Sequence, residues 1–236
     1  MNARARRLAP FAGYLMVALI FVGLAVVSDS PDSKASGAKV IAFVQHHKTA
    51  IHVQTFLLAY AALAAVVYFA SIAQFLRTRG SQVLATTTVA GAALFASGLC
   101  VAVGINESLA DQPGRLSESA AQTMNVLGQD VFAILMFAGL ALAMGSAGVA
   151  MLRTKSLPIA LGVITTIAGV AAGTGIVAWF GFLGTGVLTL VIAPYVYSRT
   201  GTPAEITLPD ATVAVPAQTR RTKSATKSDT AAKTSA

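Results

Sequence analysis

An all-α bundle of membrane-spanning helices is predicted by three features of the chain. Of its 236 residues, 55% are hydrophobic and only 11% charged, with a mean hydropathy of +0.70, too little charge to cover a water-soluble surface. Its apolar residues fall into charge-free runs long enough to cross a hydrocarbon core about 30 Å thick, which takes roughly 20 residues at 1.5 Å each. Basic residues cluster at alternate ends of those runs, as orientation in a bilayer demands.

The first run, 11–27, follows Arg4, Arg6 and Arg7. A basic start and an apolar core also mark signal peptides, but this run is long and ends in Val26, Val27, Ser28 and Asp29 with no small-x-small cleavage site, so an anchor is expected. The second, 51–76, leads into Arg77 and Arg79; the third is 83–104; the fourth, 131–152, leads into Arg153 and Lys155. The apolar stretch 157–198 has twice the necessary length, which tilt cannot absorb. Gly173, Thr174 and Gly175 permit a tight turn that divides it into 157–175 and 178–198. Six spans put every basic cluster, Arg199 included, on one face and both termini in the cytoplasm. Five spans would place the basic tail on the wrong face. The opposite face receives Asp29, Asp32, Glu107, Asp111, Glu118 and Asp130 against Lys34, Lys39, Lys48 and Arg115. Tyr14, Tyr195, Tyr197 and Trp179 fall at span ends, where half-wet rings are favoured; Tyr60 and Tyr68 lie deeper.

The domain organisation that follows is a bundle over 1–198 and a basic cytoplasmic tail over 199–236. The tail is rich in Thr, Ala, Ser and Pro and is expected to be disordered, because it cannot bury enough apolar area to offset an ordering cost of about 1–2 kcal/mol per residue. Both outer loops are expected to contain a helix. One begins near Ser36, with Val40, Val44, His47 and Ile51 forming a face that rests on the membrane surface. The other begins near Ser117, a suitable cap. In the second, Glu118, Gln122, Asn125 and Gln129 form a polar stripe, either the solvated side of an amphipathic helix or the lining of an outer vestibule. The two basic turns match, Leu76-Arg77-Thr78-Arg79 and Leu152-Arg153-Thr154-Lys155, and Thr87–Gly91 resembles Thr165–Gly169. A parallel repeat of helices 2–3 and 4–5 would explain the likeness.

No Asp, Glu, Lys, Arg or His lies at mid-membrane depth, which removes the usual basis of proton relays, voltage sensors, ion-coupled pumps and ligated haem. The intramembrane polar groups are mainly hydroxyls; Thr87, Thr165 and Thr166 are the candidates to line a pathway, and packing against backbone is the plainer role. Gly169 and Gly173 form a G-x-x-x-G pair suited to close helix packing. His46, His47 and His52 are the candidate metal ligands on the outer side. On a straight helix, however, His52 projects well over 100° from each of the others, so a break near Thr49 is needed to gather them. Asp130, Glu107 and Asp111 are possible oxygen donors there. Cys100, alone in an apolar run, behaves as a small hydrophobe. No G-x-S-x-G, H-E-x-x-H, phosphate-binding loop or C-x-x-C pattern occurs. The net charge of +8 sits at span ends rather than on a face suited to nucleic acid.

The outer helix before span 2, the basic turn, and Arg153, Leu157, Pro158 and Gly162 opening span 5 resemble a family of uncharacterised bacterial multi-pass membrane proteins of about six helices. The resemblance implies a bacterial plasma (inner) membrane location and carries no activity. The expected function is therefore non-catalytic, exercised through helix packing or contacts with a membrane protein partner or a second copy, with the lipid bilayer as solvent and no cofactor. A channel or transporter for a small neutral solute is the alternative, and an outer metal-dependent site the third reading.

Overall fold

A computed structural model describes residues 8–174 and 177–199. The described residues are helical with no strand. One 3₁₀ turn, Ala9–Phe11, leads into α1, Ala12–Val26. Then come α2, Gly37–Thr78, α3, Gln82–Asp111, and the short α4, Glu118–Val126. A π-turn, Leu127–Val131, joins α4 to α5, Phe132–Thr154. The chain closes with α6, Ile159–Gly173, and α7, Ala178–Arg199. Five of the helical stretches are long and apolar enough to cross a membrane; α6, with 15 residues, is shorter. The basic tail and Arg4, Arg6 and Arg7 lie outside the described residues.

In each of the five long stretches no more than half of the most apolar window is buried. Phe56, Leu63, Val83, Ile134, Ile167, Phe180 and Val187 all face outward. Water would not tolerate so wide an apolar surface, whereas hydrocarbon receives it without cost, so the protein is membrane-embedded.

Small residues set how the helices meet. Without a hydrophobic driving force inside lipid, association depends on close backbone approach. A Cβ added at Gly91 would collide with the Ala143 backbone, and one at Gly98 would lie 2.7 Å from the Met136 nitrogen, which seats α3 on α5. Gly169 would meet the Gly145 nitrogen at 2.5 Å, and Gly162 the Leu152 side chain at 2.8 Å, seating α6 on α5. Gly13 lies against Tyr68 and Thr189, and Gly23 against Leu58. As residue numbers rise along one helix of each pair they fall along the other, so neighbours are antiparallel. The order α1, α2, α3, α5, α6, α7 closes into a ring, with α7 returning to α1.

That closure uses a proline. Pro194 inside α7 has no N–H for the carbonyl four residues earlier, that of Leu190. The Tyr14 hydroxyl of α1 donates to this carbonyl at 2.8 Å, so a backbone acceptor that lipid cannot satisfy becomes an interhelical bond. Nearby, the Arg199 guanidinium donates to the Ser156 carbonyl at 2.9 Å, fastening the end of α7 to the α5–α6 turn.

At the other end the helices carry a separate cap. The Ser36 hydroxyl accepts from the Lys39 N–H at 3.4 Å, and the Ser117 hydroxyl from the Ala120 N–H at 3.2 Å; each side chain thereby starts its helix. At 42 residues, α2 is about 63 Å long at 1.5 Å per residue, twice a bilayer core. His47 breaks it, with φ −109° and ψ 18°. Its Nδ1–H donates to the Phe43 carbonyl at 3.1 Å, an acceptor that the helix ladder normally uses. The break falls at His47, two residues before Thr49. The predicted membrane-surface face has another destination. Val40, Val44 and Ile51 are buried with Val27, Ala35, Leu109, Ala110 and Ala121 in a second apolar cluster. Gly37 presses against the backbone of Glu118 at the start of α4, so the two amphipathic segments cover one another.

Candidate functional site: a histidine and two carboxylates beneath the cap

Glu107 and Asp111 are four residues apart near the end of α3, hence on one helix face. α2 runs antiparallel beside α3 and brings His52, just past the His47 break, opposite them. His52 Nδ1 lies 2.6 Å from Glu107 Oε1, and His52 Nε2 lies 4.0 Å from Asp111 Oδ1. The three ligand-bearing groups approach within 4.8 Å of one another. His52 and Glu107 are about seven-tenths buried, while Asp111 is 60% exposed.

Two features set this cluster apart from an ordinary ion pair. Glu107 Oε2 is buried with no hydrogen-bond partner among the described residues, so its desolvation is not offset by any of them. Asp111 also ends α3 and Glu107 stands one turn before it, with no basic residue in the last turn. The helix dipole is negative there and disfavours further negative charge. Because a carboxylate only accepts, the short contact places a proton on Nδ1, and in the neutral imidazole the Nε2 lone pair then lies on the Asp111 side.

The three histidines expected as ligands do not come together. His46 is exposed and meets His47 edge-on, with ring centroids 4.8 Å apart. His47 stacks on Phe43 at 4.4 Å and is occupied by its carbonyl. Only His52 joins an oxygen-rich cluster. Asp130 is exposed in the π-turn and lies outside it. In the polar stripe, Asn125 Nδ2 donates to the Asp32 carbonyl at 2.9 Å, and Gln129 Nε2 donates to the Pro31 carbonyl and to Asn125 Oδ1. These two side chains clamp the loop between α1 and α2, while Glu118 and Gln122 stay exposed. Gln54, missed among the hydroxyls, is buried and donates from Nε2 to the Gly23 carbonyl at 3.1 Å; the signal was an amide within an apolar run.

The ring is filled. Tyr68, Phe69, Phe95, Leu140, Met144 and Ile192 are at most 1% exposed. Thr87, Thr165 and Thr166 donate to their own helix carbonyls, Val83, Leu161 and Gly162, at 3.0, 2.6 and 2.9 Å. Thr88 and Ser146 bond across α3 and α5 at 2.9 Å. The Tyr68 hydroxyl lies beside Thr189, outside the limits of a well-formed hydrogen bond. Two small crevices, with about 20 and about 40 Å³ of free volume, share Ile20, Phe95 and Phe182 and are lined almost wholly by apolar side chains. Gly173 lies 3.1 Å, measured from an added Cβ, from the Ala141 Cβ.

The fold thus defines a membrane-embedded helical ring with a polar cluster under its cap. Comparison with protein-family models, with curated proteins and with solved structures finds no match.

Proposed function

We propose that the chain is a six-span bacterial plasma-membrane protein, with both termini cytoplasmic, that works without catalysis through packing and contacts with a membrane protein partner or a second copy. The observation that carries this reading is the filled ring: with Tyr68, Phe69, Phe95, Leu140, Met144 and Ile192 closing its centre, the bundle offers no polar path. Antiparallel succession supports the topology, since it gathers Arg77, Arg79, Arg153, Lys155 and Arg199 at one end, and basic residues are retained on the cytoplasmic side. α6 is about 23 Å long at 1.5 Å per residue, a shortfall that local bilayer thinning absorbs. Its Ile159, Val163, Ile164, Ile167 and Val170 are exposed for lipid.

Two copies of one unit account for the pattern. In each, a Ser-capped outer helix is followed by a departure from α geometry, at His47 or over Leu127–Val131. A span follows, and then a basic turn with one left-handed residue, Gly80 (φ 86°) or Lys155 (φ 47°). In proteoliposomes, the full-length protein is expected to give glycerol permeation no faster than empty vesicles. Saturable uptake slowed by Thr165→Leu would overturn the packing reading in favour of a neutral-solute pathway. Single cysteines at 77 and 153 in a Cys100→Ala background should label from the same face of the bilayer.

A further inference from the structure

We infer that His52, Asp111 and Glu107 form a zinc site where α2, just past its His47 break, meets the end of α3, with His52 Nε2 and an Asp111 oxygen as ligands and Glu107 as the positioning residue. It goes beyond the packing reading and stands or falls separately from it.

The geometry starts from His52. Metal-binding histidines commonly donate the second ring N–H to a carboxylate, which fixes the tautomer and raises the basicity of the ligating nitrogen. The 2.6 Å contact between Nδ1 and Glu107 Oε1 is that arrangement, and it directs the Nε2 lone pair toward Asp111. Zinc bonds to imidazole nitrogen and carboxylate oxygen are each about 2.0–2.2 Å, so tetrahedral ligands stand roughly 3.4 Å apart. The Nε2 to Oδ1 separation of 4.0 Å needs only a small closure. Asp111, exposed at the last residue of α3, is free to provide it, and solvent on its open side completes the shell.

Electrostatics favour a cation at the same point. Two carboxylates at a helix C-terminus repel one another and the helix dipole, and Glu107 Oε2 is buried with no donor. A divalent ion between Nε2 and Asp111 offsets the mutual repulsion of the carboxylates and their repulsion by the helix dipole with two charges, where a protonated His52 supplies one. The donor set selects among cations: imidazole favours zinc over calcium or magnesium, which prefer all-oxygen shells. Cys100 is not among the ligands.

The test uses the full-length protein in detergent, titrated with Zn²⁺ by calorimetry, with bound metal counted by mass spectrometry after dialysis. One zinc per chain is expected, undisturbed by equimolar Ca²⁺ or Mg²⁺, with an X-ray absorption edge showing nitrogen and oxygen neighbours and no sulfur. Asp111→Asn and His52→Ala should each weaken binding at least roughly tenfold, and Glu107→Gln about 10–100-fold, as loss of an orienting carboxylate does. His46→Ala/His47→Ala should bind as the parent does. If His52→Ala does not fold, Asp111→Asn, at an exposed position, decides the matter, with helix content and gel-filtration profile as the check on folding. No zinc above the detergent blank, parental affinity in folded Asp111→Asn, loss of binding in the double-histidine variant, or a sulfur neighbour would each overturn the site.

Discussion

The ring and its cap are built by opposite means. Within the ring, contact is made mostly by what residues lack: Gly91, Gly139, Gly148 and Gly169 let backbones meet, and most hydroxyls turn back on their own helices, Tyr14 and the Thr88–Ser146 pair excepted. At the cap, contact is made by what residues carry: Asn125 and Gln129 reach across to loop carbonyls, and His52 reaches Glu107. The difference follows from the solvent. In hydrocarbon, interior and exterior are equally apolar and only fit separates right from wrong packing. At the water boundary, burial again provides a driving force and loose backbone needs partners.

Substitutions sharpen this contrast, beginning with the largest effect. Gly91→Leu should prevent α3 from seating on α5 and cost more than about 3 kcal/mol, the upper range for overpacking; the expected readout is loss of monodisperse protein in detergent, with Gly91→Ala already impaired. Tyr14→Phe should cost about 1–2 kcal/mol, as for a strong interhelical bond in lipid. Adding Pro194→Ala should recover most of that, because the backbone N–H then serves the Leu190 carbonyl; thermal unfolding of the single and double variants measures the coupling. Asn125→Ala should cost about 1 kcal/mol and speed amide exchange in residues 28–35 while leaving the spans protected. Thr88→Val should cost only about 0.6 kcal/mol, since Ser146 keeps its bond to the Leu142 carbonyl. If Asn125→Ala unfolds the ring, or Gly91→Leu is silent, the two regions do not differ as described.

What was legible in the sequence divides along the same line. The apolar runs, the turn after Gly173 and the caps Ser36 and Ser117 are written in local chemistry, and helices lie where that chemistry puts them. The destination of the Val40, Val44 and Ile51 face was not, because a helix pattern tells which side is apolar and not what covers it. The histidines show the same limit. His46, His47 and His52 look like a cluster because they are close in sequence, yet His52 is paired with Glu107, 55 residues away. The four-residue spacing of Glu107 and Asp111 was visible, but only the antiparallel pairing of α2 with α3 gives it a partner. Likewise Thr165 is fully buried, and its place in the sequence did not tell a pathway from a helix-bonded hydroxyl.

The seam joining α1 to α7 has a consequence in time. These are the first and last helices of the ring to leave the ribosome, so Leu190 cannot receive Tyr14 until all the others have been laid down. Until α7 has been made, the side of Tyr68 that lies beside Thr189 has no neighbour. Closing the ring therefore depends on the last helix, and a chain ending before α7 has no Leu190 carbonyl for the Tyr14 hydroxyl to meet.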